Sequence, residues 1–207
     1  MASITLRPAI EQDIPVMLTV YFSAFASSPL NARCFPPSDR DVQRFWSAWI
    51  EKNIAAPDTH VVVAEDTDGD MLGWVRWVRK SRQTSWAAAA AVIDPTTYPA
   101  VGDRALVARF FQANADATRG IVGDEAHWFL SMIVTAPEAQ RRGVGSALMR
   151  FGVERADEEG WMAYVNSSKN GRGLYEKFGF QVVGQSEFEE LGMVQFHMTR
   201  EARNRVG

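Results

Sequence analysis

Gln140-Arg141-Arg142-Gly143-Val144-Gly145-Ser146-Ala147 is the stretch that most narrows what this chain can fold into. It follows an apolar run, His127 to Val134, and a turn over 135–138 that contains Pro137. It opens a helical pattern running from Leu148 to Glu159. The order is therefore strand, short glycine-containing loop, helix start. The first amides of a helix have no partner within it and carry a partial positive charge. Glycine lets a ligand come close to that backbone, and Arg141 and Arg142 add full charges. Such a loop is an anion cradle suited to phosphate. It is neither of the two common phosphate loops. A third glycine of the G-x-G-x-x-G pattern would fall at Leu148, and the G-K-[S/T] ending of the P-loop is missing.

The rest of the chain alternates. Ile4 to Arg7 reads as a strand ended by Pro8, and Asp13 and Pro15 mark a helix start. Val16, Met17, Val20, Tyr21, Ala24 and Phe25 give that helix an apolar face, and Ser27-Ser28-Pro29 reads as its stop. Ser38 or Asp39 caps a second helix with Val42, Phe45, Trp46, Trp49 and Ile50 at helical spacing. Val61 to Ala64 and Met71 to Val78 form a hairpin around Asp66–Asp70. Residues 81–102, with an alanine run, Pro95 and Pro99, are long for a loop in a compact domain; such loops are often functional. A helix is expected over 103–118, a strand over 127–135, a helix over 140–159, a strand over 161–166 and a short helix over 172–178. Two closing strands follow near 181–190 and 193–199. This order, β-α-α-β-β-α-β-α-β-α-β-β, predicts a mixed α/β fold of α+β-like character. At 207 residues with no repeat or clear linker, residues 1–207 are expected to be a single domain.

Composition excludes several functions. The formal charge of −3 offers no basic balance for nucleic acid. The longest apolar run, Trp86 to Ile93, is too short to span a bilayer, so no membrane partner is expected. The start of the chain shows no signal-peptide pattern. The lone cysteine, Cys34, cannot form an internal disulfide and reads as an inert small residue in a reducing compartment, hence a cytoplasmic protein. His60 and His197 have no Cys or carboxylate at ligand spacing, so no metal site is expected.

The loop, read with what lies downstream of it, resembles a known family. Gln140 to Gly145 fits a Q/R-x-x-G-x-G/A pattern after a strand, and Leu174-Tyr175-Glu176-Lys177-Phe178-Gly179-Phe180 is similar to the "YEKLGF" end of the GNAT acetyltransferase core. The two occur in the right order and at the right spacing. The resemblance is specific over 127–180 and weaker over 3–80. It implies a central, mixed but mostly antiparallel sheet flanked by helices and splayed at the central strand. The cofactor-binding core would be 127–180, with the N-terminal part and 81–102 shaping the acceptor site.

The resemblance also implies residue roles. Ile133, Val134 and Thr135 would pair with pantetheine amides, and Gln140 through Ser146 would hold the pyrophosphate of acetyl-CoA. Arg141 or Arg142 would add an ion pair to an adenosine phosphate. Ser168, where many members have Asn, would touch the co-substrate. Tyr175 would donate a proton to the leaving thiolate, as its reference pKa of ~10 allows. The expected activity is transfer of an acetyl group to a primary amine of a small acceptor by direct attack in a ternary complex. A homodimer is compatible with this reading. Some members carry a strand Glu, and others a His at that position or two residues later; the positions are Phe129 and Ser131 here. His127, on the same strand face, is the nearest catalytic candidate, with Glu125 or water as alternatives. The missing base keeps open an acyl-CoA-binding sensor or degenerate homologue without turnover, and a longer acyl group is the alternative substrate. Phe22, Phe25, Phe35, Trp46, Trp49, Trp86 and Tyr98 are candidate acceptor-site aromatics, with at most one of Trp74 and Trp77 among them, because the two point to opposite faces of one strand. Asp39, Asp41 and Asp94 are candidate amine-binding groups.

Overall fold

The computed structural model describes residues 3–84 and 92–203. Trp86 and the alanine run, 87–91, lie outside the described residues. The strands are β1 (Thr5–Pro8), β2 (Thr59–Glu65), β3 (Met71–Lys80), β4 (His127–Thr135), β5 (Met162–Ser168), β6 (Gln181–Phe188) and β7 (Met193–Arg200). The helices are α1 (Ile14–Ala24), α2 (Pro29–Cys34), α3 (Arg40–Ile54), α4 (Arg104–Val122), α5 (Val144–Glu159) and α6 (Arg172–Lys177). The strands pair in the order β1-β2-β3-β4-β5-β7-β6. β1 pairs with β2, β5 with β7 and β6 with β7 in antiparallel fashion, and β4 pairs with β5 in parallel. This is the expected mixed, mostly antiparallel sheet with helices. The β4–β5 pairing comprises His127↔Met162 through Leu130↔Val165.

The residues form two compact units. The first comprises 3–77, 96–104 and 132–148. Its central strand β3 is apolar on both faces because both are covered. Trp74 and Trp77 are each fully buried, and their indole N–H groups donate to opposite sides, to Met17 O at 3.1 Å and Leu148 O at 3.2 Å. Neither is therefore an acceptor-site ring; both are core. Gly73 is required by close approach: a Cβ there would lie 2.3 Å from Val134 O, so only glycine lets β3 lie this close to the end of β4. The Asp39 carboxylate caps α3, accepting from the amides of Asp41 at 2.8 Å and Val42 at 3.1 Å. Asp13 behaves differently from a helix cap. Its carboxylate binds the Arg7 guanidinium and accepts from Ile10 N at 2.8 Å, joining β1 to the start of α1. Ser27-Ser28-Pro29 does not simply end α1. Ser28 Oγ accepts from Asn31 N and Pro29 occupies the first turn of α2, a helix that the composition disguised.

The second unit comprises 78–84, 92–95, 105–131 and 149–203. β7 is inserted between β5 and β6, so His197 faces Asn166 on one side and Gly184 on the other. Phe110 of α4 packs on Phe188 of β6 at 4.7 Å between ring centres. Arg200, at the end of β7, is almost completely buried and makes a two-point ion pair with Asp157 of α5, both bonds 2.8 Å.

Candidate functional site

The anion cradle belongs to the first unit. Val134 at the end of β4 is buried, with Ile133 and Thr135 half-buried beside it. The chain turns at Pro137–Ala139 and leaves Gln140 extended (φ −62, ψ 153). The helix starts later than its periodicity suggested, at Val144 rather than at Gln140, because residues 140–143 form the loop itself. Arg141 has φ 60, the only positive φ at a non-glycine among the described residues, and Gly143 has φ 94. Two positive-φ residues thus flank Arg142 in a tight turn. Such a turn is compatible with a backbone nest for anions. Among the described residues, the amides of Arg141 through Ser146 have no acceptor, and the first bond of α5 runs from Ala147 N to Gly143 O at 2.9 Å. Gln140, Arg141, Arg142 and Gly143 are exposed, and the site thus combines unpaired donors, a helix start and two arginines in solvent reach.

Tyr175, Ser168 and His127 belong to the second unit. Tyr175 sits on α6 with its ring 6.1 Å from that of Phe180 and only 6% exposed. Its hydroxyl faces Gly171, where an added Cβ would lie 3.3 Å from it. Burial alone pushes this phenol above its usual range, which keeps it protonated at neutral pH. Ser168 Oγ accepts from Gly171 N at 3.2 Å and so helps turn the chain from β5 into α6. Ser167 is fully buried and donates to Ser168 O at 2.7 Å.

His127 lies elsewhere. It is the first residue of β4 and pairs with Met162, the first of β5, whereas the Tyr175 turn follows Ser168, the last of β5. Six steps of strand at ~3.3 Å put about 20 Å between those ends. The ring is 2% exposed, and its Nδ1 lies 2.8 Å from Glu125 O, so Nδ1 carries the proton and donates. Burial lowers the pKa of His127, aided by the nearby Lys80 charge and opposed by the bond to Glu125 O. The Glu125 carboxylate is itself paired with Arg82 at 3.0 Å on the surface. Phe129, at the position where the family's strand base would stand, packs against Tyr164 with ring centres 5.9 Å apart and planes tilted by 42°.

Aromatic residues of α1 and α3, with Phe35 and Tyr98, form a connected cluster in the first unit, the Phe45 and Trp46 rings being 5.5 Å apart. Tyr21 and Trp46 rings are 4.5 Å apart, Phe35 and Trp46 5.2 Å, Trp46 and Trp49 5.4 Å, and Phe45 and Tyr98 5.7 Å. Tyr21, Phe35 and Trp46 are core; Phe22, Phe25, Trp49 and Tyr98 are partly exposed. Of the carboxylates named for amine binding, Asp39 is committed to its helix cap, Asp41 pairs with Arg44, and Asp94 is exposed. Cys34 is buried and its thiol reaches Asp103 O at 3.6 Å. Among the described residues, no cluster of three or more His, Cys, Asp or Glu could hold a metal, and no helix is long and apolar enough to cross a membrane.

A histidine-centred group in the second unit escaped the sequence reading. Tyr164, Asn166, Ser186 and His197 are mutually hydrogen-bonded on one face of β5, β7 and β6. The available signal was Asn166 itself, a residue disfavoured within strands.

Comparison with known proteins points one way. A family model described as an acetyltransferase (GNAT) domain matches residues 108–202. An acetyltransferase from the fungus Stachybotrys chartarum is 27% identical over 202 residues, covering 92% of this chain and 86% of the relative. A solved structure from Corynebacterium glutamicum, described as histone acetyltransferase HPA2 and related acetyltransferase, is 25% identical with a TM-score of 0.68, both chains covered completely. A Drosophila melanogaster polyamine N-acetyltransferase shares the fold at 16% identity and a TM-score of 0.68, over 96% of this chain and 100% of that one. With the strand–loop–helix geometry and the sheet order already in place, these likenesses make the chain similar to acetyltransferases of the GNAT superfamily, in sequence over residues 108–202 and in fold.

Proposed function

We propose that the protein transfers an acetyl group from acetyl-CoA to the primary amine of a small acceptor, by direct attack in a ternary complex. The observation that carries this reading is the nest at Gln140–Ser146, with its left-handed Arg141 and Gly143 at the start of α5. Its amides suit the pyrophosphate, and Arg141 or Arg142 suits a further phosphate of the nucleotide. Ile133, Val134 and Thr135 would bind the pantetheine arm through their backbone groups, and Ser168 would add a contact. Tyr175 is the proposed acid. Kept protonated by burial, its phenol gives a proton to the thiolate as the C–S bond breaks. For the base, the length of β5 between His127 and the Tyr175 turn favours a chain of water over His127 or Glu125. The acceptor is proposed to be small and partly apolar, in keeping with the partly exposed rings of Phe22, Phe25, Trp49 and Tyr98. The polyamine acceptor in one structural relative's name is a small amine as well.

Titration calorimetry with acetyl-CoA, dephospho-CoA and ATP tests the cradle. One-to-one micromolar binding of acetyl-CoA without ATP binding supports it; no binding of any of the three removes it. A second reading, an acyl-CoA binder without turnover, is favoured by one observation: the apolar Phe129 ring occupies the base position and packs on Tyr164. Trapping released CoA thiol across a panel of amines separates the two. Binding without release from any amine selects the binder.

A further inference from the structure

His197 of β7 is 2% exposed and satisfied on both ring nitrogens. Nδ1 lies 2.7 Å from Asn166 Oδ1, and Nε2 lies 2.8 Å from Ser186 Oγ. Tyr164 donates its hydroxyl to the same Asn166 oxygen at 2.8 Å and lies 3.2 Å from Nδ1. An amide oxygen only accepts, so Nδ1 carries the ring proton and donates it to Asn166. Nε2 then keeps its lone pair and accepts from the Ser186 hydroxyl. Burial lowers the pKa of His197, which holds the ring neutral and able to take a proton.

The order is hydroxyl, imidazole, orienting amide. Those are the roles of nucleophile, base and orienter in a catalytic triad, which is recognised by geometry rather than by sequence position, and asparagine fills the third role in cysteine proteases. Two features go beyond the satisfaction of a core histidine. Tyr164 gives the Asn166 oxygen a second donor, which opposes rotation of the amide and fixes the tautomer. The group at the far end is a half-buried serine on β6, the last strand of the sheet order, while the imidazole behind it is sealed.

We propose that Ser186 is an acylatable nucleophile, activated by His197 and positioned by Asn166, that accepts acyl groups from small activated esters and thioesters. Ser186 Oγ attacks the acyl carbonyl carbon and the Oγ–C bond forms as the hydroxyl proton passes to His197 Nε2. The bond from carbon to the leaving oxygen or sulfur breaks, and the leaving group takes the proton from Nε2. The products are acyl-Ser186 and a free alcohol, phenol or thiol, with no other reactant. The inference does not depend on the acetyl-CoA cradle.

The test is p-nitrophenyl acetate with the full-length protein, read by p-nitrophenolate release and by peptide mass spectrometry. The expected result is a burst of about one equivalent and a single acetyl group on the peptide containing Ser186. Unfolding wild-type protein in urea should abolish the label. Ser186→Ala should remove the burst, and His197→Gln should slow it by about 100-fold or more, within the range for loss of a general base. Asn166→Ala should slow it less, with Asn166→Asp restoring the rate. Because a buried histidine variant can misfold, the decisive readout is the site of labelling in wild type. Absence of label at Ser186, or equal labelling in folded and urea-unfolded wild type, overturns the proposal, as does an unchanged rate in folded His197→Gln. Acetyl-CoA titration of Ser186→Ala separates this from the cradle: binding should be unaltered whichever way the labelling falls.

Discussion

Two residues of the cradle separate its shape from its charge. Gly143 has room for a methyl group, since the nearest atom to an added Cβ would be Ile4 Cδ1 at 3.9 Å, but its φ of 94 is unfavourable for any side chain. Gly143→Ala should therefore cost about 1–2 kcal/mol or push the loop out of its nest. Either response should weaken acetyl-CoA binding, measured by calorimetry, far more than overall stability. Arg141 is the converse case. It already holds a left-handed backbone at φ 60, so Arg141→Gly relieves strain and preserves the turn while removing a charge. The variant should be as stable as wild type or more so, and should bind acetyl-CoA with a shallower dependence on salt. Loss of affinity in Arg141→Gly with unchanged salt dependence would mean that the side chain acts through something other than charge. Tyr175→Phe addresses the proposed acid. The turnover rate should fall by about 10²–10⁴ with little change in acetyl-CoA affinity. In wild type the acid must be protonated, and burial raises its pKa above the ordinary ~10. The rate due to Tyr175 should accordingly hold through neutral pH and fall only as pH climbs past that range. An earlier alkaline fall that persists in Tyr175→Phe would belong to another group.

At the scale of elements, the Asp157–Arg200 pair ties the end of α5 to the end of β7. The Arg200 side chain is 4% exposed and that of Asp157 15%, so water screens the pair little. Burial alone would raise the pKa of Asp157, but the Arg200 hydrogen bonds and the Arg203 amide at 2.6 Å outweigh it and hold the carboxyl below its usual range. Asp157→Ala would strand a buried guanidinium and should cost about 3–5 kcal/mol at neutral pH. The contribution of an acid whose folded pKa is depressed is present above its unfolded value, ~3.9, and is lost as pH falls through the folded one. Denaturant midpoints of wild type and variant should thus converge below about pH 4; a gap that stays constant down to pH 2 would show that the pair acts by packing. Elements such as α5 and β7 were readable because period and punctuation were local. Val144–Glu159 kept its apolar spacing, and only its first turn was misplaced, since 140–143 have helix-like composition but left-handed backbone at Arg141 and Gly143. α2 was missed because a six-residue helix with Pro29 in its first turn has the composition of a stop. The Ser186–His197–Asn166 group was invisible for a different reason. It depends on β7 lying between β5 and β6, and strand order is carried by no single stretch of sequence. Trp74 and Trp77 were correctly placed on opposite faces, but only the carbonyl partners of their indoles show that both faces are core.

For the molecule as a whole, the formal charge is −3, while CoA is a polyanion. Long-range attraction therefore does not favour the encounter, and the proposed acetyl-CoA binding would have to come from the local field of the loop and its arginines. That makes ligand binding a sensitive thermodynamic probe of the cradle. A ligand that binds only the folded state stabilises it by RT ln(1 + [L]/Kd), about 2.7 kcal/mol at a hundredfold excess over Kd. In a chain of about 150–250 residues each kcal/mol moves the midpoint by roughly 2–4 °C, so acetyl-CoA at that excess should raise it by about 5–11 °C. ATP, which lacks the pantetheine arm, should raise it little. Dephospho-CoA, which keeps the pyrophosphate but loses one phosphate, should fall between, and the difference between it and acetyl-CoA should shrink in Arg142→Ala if Arg142 meets that phosphate. In the Arg141→Gly, Arg142→Ala double variant, added salt should change the acetyl-CoA shift less than in wild type, because the remaining donors are backbone amides with only partial charges. A calorimetric scan in which acetyl-CoA and ATP give equal shifts would mean that the loop recognises phosphate alone, and the acyl-transfer reading would lose its co-substrate.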